Sequence, residues 1–220
     1  MIVRMSAGME ITMKQTDIIN PFQPYMTLEM DGYSQINRTD YGISHFYEFT
    51  IHDEKKHCIK AVPDASIDLL FNIGENKVST YISGTVFGVK KWELGTQDDC
   101  FGVRFQPGQG ILPKDITMEM IVNDDIEIDG DIFGKNLTEK IALAKTMSER
   151  IEIFKKAYED MVLGRNSLSD KEKINEYLVN RIGRTKGMIT MRQLEDETNY
   201  SACYLRRIFK SFHGISPKQF

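Results

Sequence analysis

Apolar residues in this chain recur with two different periods, and the change from one to the other near Leu137 is what most restricts its fold. In Ile67-Asp68-Leu69-Leu70-Phe71-Asn72-Ile73 the odd positions are all apolar and the even ones mostly polar, so Ile67, Leu69, Phe71 and Ile73 share one face of a strand. Pro63-Asp64 punctuates its start, and Gly74 with Asn76 supplies a turn into a second strand over 78–83. Residues 46–51 are rich in aromatic and β-branched side chains, and 101–105 alternates again until Pro107-Gly108 stops it. Short strands separated by turn residues predict a barrel or sandwich. Past Leu137 the spacing turns helical: Ile151, Phe154, Tyr158 and Met161 fall on one helix face, and Gly164 with Asn166 offers a stop and a linker. Ser169-Asp170-Lys171-Glu172 is a capping box, and the helix it opens carries Ile174, Tyr177, Leu178 and Ile182 on one side and is expected to end at Gly183.

Charge divides the chain in the same sense. Residues 1–170 hold 18 Lys/Arg against 27 Asp/Glu, whereas 171–220 hold 10 against 5, so the first part carries −9 and the second +5. An acidic body with a basic end suits a nucleic-acid-binding module attached to something else, because phosphate contacts need Lys and Arg. At 220 residues the chain is long enough for one ordinary domain and a smaller unit. No apolar run approaches the ~18 residues of a membrane span. Met1 to Gly8 lacks the apolar stretch of a secretory signal, so a cytoplasmic protein is expected. Cys58, Cys100 and Cys203 are far apart and odd in number, which predicts reduced, mostly buried thiols rather than a disulfide framework or a zinc site.

Within the basic end, Thr190-Met191-Arg192-Gln193 forms another capping box, the chain breaks at Asn199-Tyr200, and Ser201 starts a further helix. Asn199 stands where the tight turn asks for a left-handed residue. Ser201 is a suitable N-cap, and Leu205, Ile208 and Phe209 form the stripe to be buried, which leaves Cys203, Arg206, Arg207 and Lys210 pointing elsewhere. A short helix so anchored can enter a major groove. An arginine fork bonds guanine O6 and N7 together, while lysines and helix N-termini hold phosphates. The same spacing also fits a basic helical hairpin that packs on the body or on a partner.

Met188 to Leu194, then Tyr200 to Lys210, then Gly214-Ile215-Ser216-Pro217-Lys218-Gln219-Phe220 resemble the first helix-turn-helix of the AraC family of transcription regulators, with the Ser, Leu-x-Arg, Phe-Lys, Gly and Ser-Pro positions at that family's spacing. The resemblance implies that Cys203, Arg206 and Arg207 face base edges and that Ser201 and Lys210 lie close to the DNA backbone. Glu195 stands where the family usually has a small Ala at the helix contact, and Asn199 replaces the usual turn Gly. AraC-type regions carry a second helix-turn-helix, reached through a long helix that would begin where this sequence stops, at Phe220. The expectation is therefore a fragment holding the first unit, with weak, salt-sensitive DNA association. Val62 to Phe71, Ser83-Gly84, Gly102 to Gly108, Phe133-Gly134 and Glu149-Arg150-Ile151 resemble the sensory domain of one AraC-type subgroup. That implies an α+β protein: a cupin-like β-barrel sensory domain over 1–135, linking or dimerisation helices over 136–166, and an all-α helix-turn-helix segment over 167–220. The implied partners are operator DNA, a second copy of the chain and a small-molecule effector, with no cofactor and no membrane.

Alternation places Asp68 and Arg104 opposite the main apolar faces of their strands. If those faces line an interior, the two residues are candidates to bind a polar effector, with Tyr47 and Trp92 as nearby aromatic walls. An Asp68–Arg104 ion pair would explain both residues without a ligand, since a buried carboxylate is costly unless paired. His45, His52 and His57 fall close together but lack an H-x-H pair with a following carboxylate, so no metal is assigned to them. His213 is read as a helix-end residue near the C-terminal dipole. Neither a G-x-S-x-G elbow nor a phosphate-binding loop nor a Cys–His arrangement stands in the sequence, and an enzyme is not expected.

Overall fold

A computed structural model describes residues 21–30, 32–50, 58–93, 99–110, 112–164 and 168–220. The protein is α+β. Its strands are β1 (Ser34–Asn37), β2 (Ile43–Thr50), β3 (Cys58–Ala61), β4 (Asp68–Ile73), β5 (Val78–Ser83), β6 (Lys90–Glu93), β7 (Asp99–Phe105) and β8 (Asp125–Ile128). The helices are α1 (Pro24–Glu29), α2 (Met118–Ile121), α3 (Leu137–Leu143), α4 (Met147–Leu163), α5 (Asp170–Arg184), α6 (Met191–Thr198) and α7 (Ala202–His213).

Six strands form one antiparallel sheet in the order β1-β2-β7-β4-β5-β8, while β3 and β6 pair separately. The expected barrel is therefore not closed: among the described residues nothing joins β1 to β8. The reason lies in what covers the sheet. Phe46, Leu69, Phe71, Phe101, Val103 and Phe105 present one apolar face, and α3 and α4 lie over it with Ile141, Ile151, Phe154 and Tyr158. The Phe154 ring meets those of Phe46 and Phe71 edge-on at 5.9 and 6.3 Å, and Tyr158 lies 5.4 Å from Phe105. Burying each such side chain contributes about 1.5–3 kcal/mol, so a helical stripe serves here as well as a second sheet would.

The opposite face carries the even positions of β4 and β7. It is roofed by α1 and the β3–β6 ribbon, with Met26, Met30, Tyr47, Phe49 and Cys100 buried between and Trp92 packed against them. β2 and β7 are buried nearly throughout, polar Ser44, His45 and Arg104 included, whereas partly exposed Asp68 and Asn72 keep the alternation of β4 visible in the sequence.

A second apolar cluster unites α5, α6 and α7 through Ile174, Leu178, Ile182, Leu194, Leu205, Ile208 and Phe209. Both expected capping boxes are present, Ser169 with Glu172 and Thr190 with Gln193. α5 runs past Gly183 to Arg184, and the chain turns away only where Lys186 and Gly187 adopt φ of 50° and 77°. Glu197 accepts from Arg181 Nε at 2.8 Å and from Tyr177 at 2.7 Å, pinning α6 to α5.

Candidate functional site

Two places gather the residues singled out by sequence. The first lies on the sheet face under the β3–β6 ribbon. Register puts His45, Arg104, Asp68 and Ser83 in one row across β2, β7, β4 and β5, and Tyr47, Gly102, Leu70 and Tyr81 in the next. A register shift between Ile43 and His45 leaves Ser44 as the extra residue of a bulge beside the row. Arg104 donates from Nε to both Asp68 oxygens at 2.9 and 3.1 Å, from a terminal nitrogen to Asp68 as well, and from the other to Asp64 at 3.2 Å. The Tyr47 hydroxyl donates to Asp68 at 3.1 Å. The face thus holds the internal ion pair that sequence offered as one of two explanations for Asp68 and Arg104.

Asp64 and Gln23, which sequence reasoning did not place here, complete the network. Gln23 donates to Asp64 at 2.9 Å and to the Val62 carbonyl at 2.8 Å, and accepts from Val62 N at 2.8 Å. In sequence Asp64 shows only as turn punctuation after Pro63. It is that too, accepting from Ser66 N at 3.2 Å across Ala65, whose φ of 59° is left-handed. One guanidinium faces two carboxylates, so the cluster carries more negative than positive charge. Burial raises the Asp64 pKa, which Arg104 opposes. Burial pulls Arg104 down, but Asp68 and Asp64 outweigh it and hold the guanidinium charged. Burial also pushes the Tyr47 hydroxyl well up.

His45, buried beside the pair, is lowered to about 4 by burial and by the positive charge of Arg104, and its Nδ1 lies 3.1 Å from Ser44 Oγ. A neutral imidazole with that pKa is a weak base near pH 7. His52 and His57 lie outside the described residues, and among those described no cluster of metal-ligating side chains occurs. Trp92 shares the apolar cluster with Tyr47, and the Lys90 ammonium stands 3.8 Å from the centre of its ring. The Asp64 and Asp68 carboxylates on this face are engaged by Arg104, Tyr47 and Gln23.

The second place is α7. Ser201 caps it by accepting from Tyr204 N, and Asn199 turns the chain with φ 58°. Leu205, Ile208 and Phe209 are buried, while Cys203, Arg206, Arg207 and Lys210 are exposed on the remaining face. Arg207 lies 5.4 Å over the Tyr204 ring, and Lys210 reaches Glu119 of α2 at 3.0 Å. Of the cysteines, Cys100 is buried and Cys203 exposed. Glu195 resolves its odd position by accepting from Ala202 N at 2.5 Å, a second cap on the same helix. His213 does not serve the helix dipole as a cation. Burial lowers it to about 3, and its Nε2 donates to Asn175 of α5 at 2.9 Å.

Residues 41–127 match the model of a domain of unknown function, DUF6597. That span contains Tyr47, Asp64, Asp68, Trp92 and Arg104 and stops short of α3 to α7. No curated protein and no solved structure matches the chain. No helix among the described residues is long and apolar enough to cross a membrane.

Proposed function

We propose that this chain is a sequence-specific DNA-binding transcription regulator of AraC type, cytoplasmic, acting as a pair of copies and responding to a small molecule bound on the Arg104 face of a cupin-like sensory domain. The observation that carries the reading is α7. Its apolar stripe is spent on α5 and α6, and what remains outward is a cysteine, two arginines and a lysine on a helix capped at Ser201. In a major groove Arg206 and Arg207 would read base edges with Cys203 beside them, and Lys210 and the Ser201 end of the helix would hold phosphates. Pairing follows from the small footprint of one such helix, since two copies reading two half-sites gain the specificity that one lacks. The network of Asp64, Asp68, Arg104 and Tyr47 supports an effector site, because an effector that exchanges hydrogen bonds with it acts on the strand leading toward α7.

The alternative is a small-molecule-binding module whose helical end makes only protein contacts. The Lys210–Glu119 ion pair favours it, for there a residue of the exposed face already contacts protein. Selection of duplexes from a random pool at low salt separates the two. On the enriched duplex, Arg206→Ala is expected to weaken binding by about 1–3 kcal/mol and to relax preference at one base position. Enrichment of no sequence, or an Arg206→Ala protein with unchanged affinity and preference, would overturn the DNA reading of α7.

A further inference from the structure

The basic end does not hang free of the acidic body. Gly214, with φ 69°, ends α7 so close to α2 that a Cβ on it would stand 2.2 Å from Val122 Cγ2 and 3.0 Å from the Met118 carbonyl oxygen. His213 is 1% exposed, stacked on Phe209 at 4.0 Å, and covered by the turn that follows β7. A Cβ on Gly108 would fall 2.0 Å from its Cε1. Backbone thus packs on ring with no space for a side chain, and Gly108 stands four residues after Arg104. Beside this joint Glu119 Oε1 lies 3.0 Å from Lys210 Nζ.

We infer that the body holds α7 in an autoinhibited state, in which Glu119 takes the place of a DNA phosphate at Lys210 and the joint around His213 keeps it there. The inference rests on the DNA-binding proposal above. A carboxylate at that distance satisfies the ammonium that a phosphate would otherwise use, so docking costs the protein one counterion-releasing contact. Docking also keeps a body of net charge −9 next to the only strongly basic segment, which repels DNA as a whole. Because Gly108 stands only four residues after Arg104 along the chain, a ligand that draws Arg104 away from Asp68 has a short path to the joint.

The test uses the full chain with Glu119→Gln and Gly108→Ala, and Glu139→Gln as a control acid exposed on α3. Binding to a random duplex pool is titrated over a range of salt, and hydrogen exchange is followed over 106–110 and 205–214. Glu119→Gln is expected to tighten binding about two- to fivefold at low salt and to steepen the salt dependence by about 0.9 in slope. Gly108→Ala is expected to speed exchange in both segments and to tighten binding, and Glu139→Gln to do neither. If Gly108→Ala fails to fold, Glu119→Gln, a surface change, still decides the matter. Equal behaviour of Glu119→Gln and Glu139→Gln in a protein that binds DNA would refute the autoinhibition and leave the DNA reading standing. Failure of every variant to bind the pool at any salt would remove the DNA reading and this inference with it.

Discussion

Gly102 shows how a single position on the sheet is constrained by what lies over it. It sits mid-strand between Tyr47 and Leu70, and a Cβ there would stand 2.0 Å from Tyr47 Cζ. The phenol ring crosses the glycine to reach Asp68, so ring and network depend on the missing side chain. Gly102→Ala is expected to destabilise the fold by about 1–3 kcal/mol through overpacking, read as a lower urea midpoint with an unchanged slope. In a Tyr47→Ala background, itself less stable for loss of the buried ring, Gly102→Ala should cost much less than in the parent, and an equal cost in both would show that the ring is not the obstacle. A glycine inside a strand announces a close approach, but its partner here is 55 positions away in sequence and only register identifies it. Asp68 and Arg104 were legible because alternation set them apart from their apolar neighbours. Asp64 was not, since in sequence it is indistinguishable from any acidic residue in a Pro-Asp turn.

Elements long enough to show a period were legible: β4, β5 and β7 by alternation, α4 to α7 by apolar spacing and caps. β1, β3, β6 and β8 have four residues each, too few for alternation to register. Alternation also says which residues share a face and not what covers it, which is why a barrel was expected where α3 and α4 in fact close over the sheet. At α6 the AraC resemblance pointed to a small residue at the helix contact, yet Glu195 sits there as a cap on Ala202 N, seven residues on. A carboxylate accepting from a helix N-terminus gains from both the hydrogen bond and the dipole. Glu195→Ala, the residue the resemblance favours, is therefore expected to destabilise the chain by about 0.5–2 kcal/mol rather than to improve its packing. Equal or higher stability in urea denaturation would show that the cap contributes nothing.

Across the whole molecule the helical end meets the body at His213, which touches Asn175 of α5, Phe209 of α7, Phe220 and the body turn at Gly108. That ring is held neutral at a pKa of about 3, and His45 on the sheet at about 4, both by burial, against 6.5 in an exposed setting. Between those values and 6.5 the unfolded chain binds more protons than the folded one, so stability falls as pH drops through that window and is fully present above it. Each histidine contributes a slope of at most about 1.4 kcal/mol per pH unit. Asp64, whose pKa burial raises from 3.8, acts in the opposite sense near the acid end, where the folded chain holds its proton longer. The net expectation is a loss of stability from pH 6.5 toward pH 5, before that carboxylate offsets it. His213→Gln keeps a donor for Asn175 and removes the proton site. Its stability should lie below that of the parent near pH 7 through lost ring packing and fall less steeply on acidification, by about half the parent slope if His45 supplies the rest. Urea midpoints at pH 7, 6 and 5 for both proteins decide the matter: parallel decline would mean that His213 does not carry the acid sensitivity, whereas convergence toward pH 5 is the outcome that its burial in the neutral form demands.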